Sequence, residues 1–330
     1  MIAARDFLAF VSSALVPSLV LVAASAPKAF AQEVPLLVSD VPISMTRDYK
    51  KVQALLERIQ KENPATSEFF TLGTAGTGET IRGLKIGSRE VLAGAQGSVK
   101  NLIVATHHGN EYGSTEVALG IAESLAKDPI KNQTVFVLPV LNVSGFNAGR
   151  REESLVNSGL SQLVDPNRDY PGPCGSQGPF VLKSTKALAE FVERENIIAA
   201  ATLHTFYGSV TYPWGFSTPD LRTPDEALFI NLGKAATELS LYEVGNSAEV
   251  IYPANGTFED YAYWKHGIWS MLFELGSTHQ PSLDQLKELV RVNVPGLRRL
   301  LENAPTSRAA QHSFDGRCDT TRRHLDRRDE

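Results

Sequence analysis

From Asp48 to Lys61 the apolar residues Val52, Leu55, Leu56 and Ile59 recur on one face at helical spacing, which predicts an amphipathic helix. Glu68 to Leu72 and Thr80 to Ile86 read as two strands around the turn Gly73–Gly78. A glycine-rich loop cradles phosphate when a Lys-Ser/Thr pair closes it; that pair is missing, so the segment predicts a hairpin turn. Farther along, apolar runs and amphipathic stretches alternate. Strands are expected at Asn101–Thr106, Gln133–Leu141, Ile197–Leu203 and Ile268–Phe273, and helices at Ser114–Lys127, Ser184–Glu195, Glu226–Leu239 and Leu283–Asn303. Such alternation predicts a three-layer α/β/α sandwich around a mixed, mostly parallel sheet.

The ends of the chain carry different patterns. Arg5 precedes an uncharged apolar stretch, Phe7 to Ala26, and Ala29-Phe30-Ala31 offers a small-x-small cleavage site before Gln32. Residues 1–31 are therefore expected to be an export signal; a membrane anchor is the competing reading, against which Pro17 interrupts the run. Residues 32–45 form an extended, proline-containing lead, 46–305 the main domain, and 306–330 a polar tail expected to be mobile. A secreted or periplasmic location follows, with no membrane association once the signal is removed.

A formal net charge of -5, with Lys and Arg dispersed, leaves no basic patch for nucleic acid. The chain has only two cysteines, Cys174 and Cys318, both in loop-like sequence. They form either one disulfide tying the tail to the body or two free thiols, and they are too few for a cysteine-based zinc site. Sequons occur at Asn132, Asn142 and Asn255; the last two fall by the expected cleft, where glycosylation is not expected.

In open α/β sheets ligands bind at the carboxyl ends of strands. Here those ends carry Thr106-His107-His108-Gly109-Asn110-Glu111, Asn142, His204-Thr205 and Glu274. His108 and Glu111, three apart, fall on one side of a turn, and His204 would complete a two-histidine, one-carboxylate site for a single zinc ion, with a fourth position for water. His107 is expected behind the site or in the core. Glu274, closing an apolar strand, is the candidate general base and later acid, because partial burial raises a carboxyl pKa.

These residues resemble the zinc carboxypeptidase family over nearly everything from Tyr49 to about Asn303. The resemblance makes His108-x-x-Glu111 and His204 the zinc ligands, with Tyr212 to Gly215 reading YPWG after the third. It implies that Asn167 and Arg168 grip the terminal carboxylate of a peptide substrate, that Tyr252 closes over it, and that Glu274 is the catalytic base. The oxyanion-stabilising arginine matches Arg150 by spacing, with Arg151 as a rival. Glu259 takes the position lining the pocket for the last side chain, which resembles members preferring C-terminal Lys or Arg. The implied partner is a peptide with a free C-terminus, and the enzyme is expected to be a monomer without an inhibitory prodomain, since 32–45 is too short for one. Asn110 stands where the family commonly has arginine; the resulting HGNE string resembles the aspartoacylase and succinylglutamate-desuccinylase group. Hydrolysis of N-acyl amino acids is thus one rival reading, and a zinc-retaining binding protein without turnover is another.

Overall fold

A computed structural model describes residues 48–157 and 160–319. The expected export signal and extended lead lie outside these residues, as does 320–330. Among the described residues, no helix is long and apolar enough to cross a membrane.

The first helix, α1 (Tyr49–Glu62), is capped by the Asp48 carboxylate and buries Val52, Leu56 and Ile59. The hairpin follows as β1 (Ser67–Thr74) and β2 (Thr80–Ile86), paired antiparallel. After the short α2 (Arg89–Leu92) come β3 (Val99–Ala105), α3 (Tyr112–Lys127), β4 (Gln133–Leu138) and α4 (Val143–Ala148). A small hairpin of β5 (Glu153–Asn157) and β6 (Leu160–Val164) leads to α5 (Lys183–Arg194), β7 (Ala199–His204) and β8 (Ser209–Tyr212). The chain continues through α6 (Glu226–Ala236), β9 (Glu243–Asn246), α7 (Ser247–Val250), α8 (Phe258–His266), β10 (Trp269–Glu274) and α9 (Leu283–Asn303).

Eight strands form one sheet in the order β1-β2-β4-β3-β7-β10-β8-β9. Its centre, β4-β3-β7-β10, is parallel. These strands are buried on both faces, so they read as continuous apolar runs rather than alternating ones. Strand order reverses between β3 and β7: the chain leaves β3 toward β4, then returns past it to β7. Ligands in open α/β sheets gather at such a switch point.

Helix α3 is buried nearly all round because it lies between the sheet and α9. Gly120 permits that contact, since a Cβ there would meet Val290 at 2.9 Å. Helix α9 begins with a capping box between Ser282 and Gln285 and turns Leu286, Leu289, Val290, Val294 and Leu297 inward.

The four-residue strands β8 and β9 and the β5–β6 hairpin extend beyond the strand–helix alternation expected from the sequence. Strand β4 is shorter than expected, because Pro139 has no N–H to continue the ladder. The described part of the tail departs further from expectation. Residues 306–319 are packed rather than mobile: Ala309 is buried, its N–H donates to Gly267 O at 2.8 Å, and the Arg308 guanidinium donates to Ile197 O and Val192 O. The Phe314 ring lies against Phe216 and Trp214. Cys318 forms a disulfide with Cys174, which resolves the choice left by the sequence.

Candidate active site

Strand β3 ends in a sharp bend at Thr106, a left-handed residue with φ 60. Its hydroxyl is held by the Thr115 and Ser114 hydroxyls and by Pro139 O, at 2.7, 3.1 and 3.0 Å. The bend delivers His107 and His108 to the sheet edge. Gly109 follows with no room for a side chain, because a Cβ would lie 2.0 Å from Gly145 C. Glu111 then stands immediately before α3, its N–H bonded to His108 O. Across the switch point, His204 is the last residue of β7, and Glu274 is its register partner at the end of β10.

The His108, Glu111 and His204 donor atoms converge within 4.8 Å, all three residues being buried. His108 Nδ1 lies 2.8 Å from Glu111 Oε1 and 3.2 Å from His204 Nδ1, which is 3.0 Å from Glu111 Oε2. A tetrahedral zinc with bonds of about 2.0–2.1 Å spaces its ligands roughly 3.3 Å apart, so a small expansion fits this set to the ion. Glu111 Oε2 is buried with no hydrogen bond aligned on it, an unfavourable state for a carboxylate oxygen that a cation would relieve. Burial alone would raise the Glu111 carboxyl, but the two imidazoles hold it well below the usual range, in its ligating form. The other His108 nitrogen, Nε2, lies 3.1 Å from the Asp165 carboxylate. A metal-ligating histidine needs such a partner to fix its ring.

Glu274 Oε2 is likewise buried without a hydrogen bond. Burial, and next the Glu111 carboxylate, push its carboxyl well above the ordinary range. His107 is fully buried behind the donors, its Nε2 3.1 Å from the Tyr170 hydroxyl and its ring stacked on His204.

The two candidate arginines diverge. Arg150 turns to the Ser154 hydroxyl and does not line the cleft. Arg151 does line it: its guanidinium reaches His108 Nδ1 at 3.1 Å and the Asp165 carboxylate at 2.8 and 3.0 Å. Spacing pointed to Arg150, but of the two only Arg151 is bonded to a donor residue and to that residue's partner Asp165.

Beside the donors is a cavity of about 190 Å³. Asn167, Arg168, Tyr252 and Glu259 line it, as do Leu272 and His279. The Arg168 guanidinium lies 3.2 Å from the Tyr252 hydroxyl, and Tyr252 is 52% exposed at the mouth. Asn167 Oδ1 accepts from Phe258 N–H at 2.9 Å, aiming its amide nitrogen inward. Glu259 is buried at the base, bonded by the Thr202 hydroxyl and 3.5 Å from Asn167 Nδ2. Among the described residues no cationic side chain pairs with it.

The sequence profile of the family described as zinc carboxypeptidase matches residues 52–296. The chain belongs to the zinc carboxypeptidase family. Human carboxypeptidase B is 25% identical over 268 residues, covering 70% of this chain and 63% of that protein. Carboxypeptidase O from Bos taurus is 29% identical over 175 residues, covering 44% of this chain and 46% of that one. The chain thus spans less than two thirds of the length of these curated relatives. The crystal structure of carboxypeptidase A from Helicoverpa armigera shares the fold, with a TM-score of 0.69 at 18% identity over 78% of this chain and 73% of that one. Among the described residues of this zinc carboxypeptidase-family chain, His108, Glu111 and His204 make a donor set fitting the family's metal.

Asp165 and His279 are the residues that sequence reasoning passed over. The only signal for Asp165 was its place two residues before Asn167-Arg168. His279 lines the cavity and bonds the Thr205 hydroxyl at 3.0 Å.

Proposed function

We propose that the protein is an exported zinc-dependent carboxypeptidase that removes the C-terminal residue of peptides, with a preference for Lys or Arg. The observation that carries this reading is the convergence of the three donors beside Glu274, with an arginine-containing cavity next to them. When bound, zinc supplies Lewis acidity that polarises a carbonyl and acidifies water. Glu274 then acts as general base, taking a proton from the attacking water into its buried carboxylate and returning it to the leaving amine. Arg151, rather than Arg150, donates to the oxyanion that develops on the scissile carbonyl. Arg168 binds the substrate's terminal carboxylate in the forked geometry of a guanidinium, with the Asn167 amide and the Tyr252 hydroxyl beside it.

Glu259 supports the basic preference. A buried carboxylate without a cationic partner is costly, and a substrate ammonium or guanidinium would neutralise it. Similarity to carboxypeptidase B points the same way. Export is supported by the apolar segment from Phe7 to Ala26 and by the Cys174–Cys318 disulfide, which belongs to an oxidising compartment.

One further reading has its own support. The cavity is small and HGNE stands in place of the family's common arginine-containing string, as suits a short N-acyl amino acid. Turnover of hippuryl-arginine, hippuryl-phenylalanine, N-acetyl and N-succinyl amino acids, with chelator and with zinc restored, separates the two. Chelator-reversible cleavage of hippuryl-arginine is expected; exclusive use of the N-acyl amino acids would replace the peptidase reading. Glu259→Ile should move preference from arginine to phenylalanine ends, and an unchanged profile would remove Glu259 from the pocket's role.

A further inference from the structure

Asn255 opens a sequon, yet its amide is committed in both directions. Nδ2 donates to Cys174 O at 3.1 Å, and Oδ1 accepts from the Ser217 N–H at 2.8 Å. The two partners belong to loops remote from each other in sequence. Cys174 lies in the loop leaving Arg168, which folds back so that the Gln177 N–H donates to Arg168 O at 2.9 Å. Ser217 follows Trp214 and Gly215, the latter lining the cleft.

Each loop is tied down again by residues 317–319. Cys174 is bonded to Cys318, the Asp319 N–H donates to Ser217 O at 2.8 Å, and the Thr218 hydroxyl donates to Arg317 O at 2.6 Å. Asn255 itself lies three residues after Tyr252. The next residue, Gly256, has φ 82 and passes so close to Arg168 that a Cβ would lie 2.5 Å from Arg168 O. Its own carbonyl accepts from the Tyr170 N–H at 3.1 Å. The Ala254 N–H donates to Gly215 O at 2.7 Å. Three loops bearing Arg168, Tyr252 and Gly215 therefore meet at one side-chain amide, and one disulfide closes the group from outside.

We infer that Asn255, backed by the Cys174–Cys318 disulfide, is a positioning residue that sets the affinity for the substrate's terminal carboxylate. It touches no substrate and acts through Arg168 and Tyr252. The inference rests on the carboxypeptidase reading for what those two residues bind, although the clamp is a property of the loops alone. Because the donors and Glu274 are carried by strand ends and the segments that follow them, whereas Arg168 and Tyr252 are carried by the clamped loops, loosening the clamp weakens binding more than it slows the chemical step. That separates it from a general folding role.

The test uses the full mature chain with zinc. Asn255→Ala should raise KM for hippuryl-arginine about tenfold, the scale of one hydrogen bond to a charged group, with kcat little changed. Amide hydrogen exchange should quicken at 170–178 and 250–257 while the strand ends at 104–108 and 202–204 keep their protection. Asn255→Asp keeps the acceptor for Ser217 but sets a carboxylate oxygen against Cys174 O, so it should raise KM at least as much as Asn255→Ala. The double variant Cys174→Ser, Cys318→Ser should change KM in the same direction. A loss confined to kcat, or unchanged KM together with unchanged exchange, would overturn the inference. Should Asn255→Ala not fold, the Asn255→Asp and double-serine variants decide it by the same two readouts. A wild type that cleaves no peptide would end the carboxypeptidase reading instead, and the exchange data would still judge the clamp.

Discussion

The metal donors and Glu274 stand on or directly after the ends of parallel strands, whereas Arg168, Tyr252 and Asn255 stand on loops. The first wall is fixed by the ladder itself: β3, β7 and β10 run side by side, and the register pairs Glu274 with His204. Its side chains are buried, with His108 4% and His204 1% exposed. The second wall has no ladder to fix it. Its register comes from an asparagine amide, a disulfide and a returning tail, and Tyr252 remains half exposed. Reacting groups must be held to within fractions of an ångström, which a sheet edge provides. On the carboxypeptidase reading proposed above, this wall would admit and release peptide ends, and loops pinned at a few points allow such opening.

The strongest challenge to this division is Glu274→Gln. The amide keeps the size of the carboxyl but cannot take a proton, so kcat for hippuryl-arginine should fall by about 10²–10⁴, the usual contribution of a general base. KM and bound zinc should stay near wild type, because neither the donors nor the loop wall is touched. Activity near wild type would remove Glu274 from the chemistry. An inert variant with metal retained also excludes the reading of a binding protein without turnover, provided the wild type is active.

Arg151 sharpens the comparison, since it lies on a loop yet faces the donors. Arg151→Ala should lower kcat by about 10²–10³, as loss of an oxyanion donor does, while Arg150→Ala should change little. Zinc content must be followed alongside, because Arg151 also holds Asp165, the partner of His108. If Arg150→Ala is the damaging change, the assignment reverses, and the spacing argument is restored over the geometric one.

Legibility in the sequence follows the same division. The strand ends were readable because β3, β7 and β10 are continuous apolar runs, and a run that stops at His or Glu marks where the backbone leaves the sheet. His108, Glu111, His204 and Glu274 could be named on that ground. For the arginine, spacing favoured Arg150, and only the fold brings Arg151 instead to His108 and Asp165. Asp165 was unreadable because an acid in a loop acquires its role only when the fold brings His108 within 3.1 Å. The packing of 306–319 was not legible because the polar composition there outweighs the few residues that anchor it, Ala309, Phe314 and Cys318. Strands β8 and β9, four residues each, are too short to show a period.

The mildest expected effect concerns the junction between the walls. Glu153 begins β5, two residues after Arg151, and its carboxyl is buried with Oε1 unpartnered. Burial pushes it up to about 7, the nearby Asp169 adds to the rise, and the Ser184 hydroxyl opposes it. An acid raised in the folded state binds a proton that the unfolded chain has already lost, so between pH 4.5 and about 7 stability falls as pH rises. Below that window the group makes no difference between the states, and above it the full penalty remains. Glu153→Gln keeps an acceptor for Ser184 and has no charge to bury. Relative to wild type, it should be equally stable near pH 4 and more stable at pH 8, by on the order of 1–3 kcal/mol. Thermal unfolding of the zinc-loaded proteins across that range measures the difference. A constant offset at every pH would show that the carboxyl does not titrate there. A gain at pH 8 with kcat and KM unchanged would show that the base of β5 bears on folding and not on the placement of Arg151.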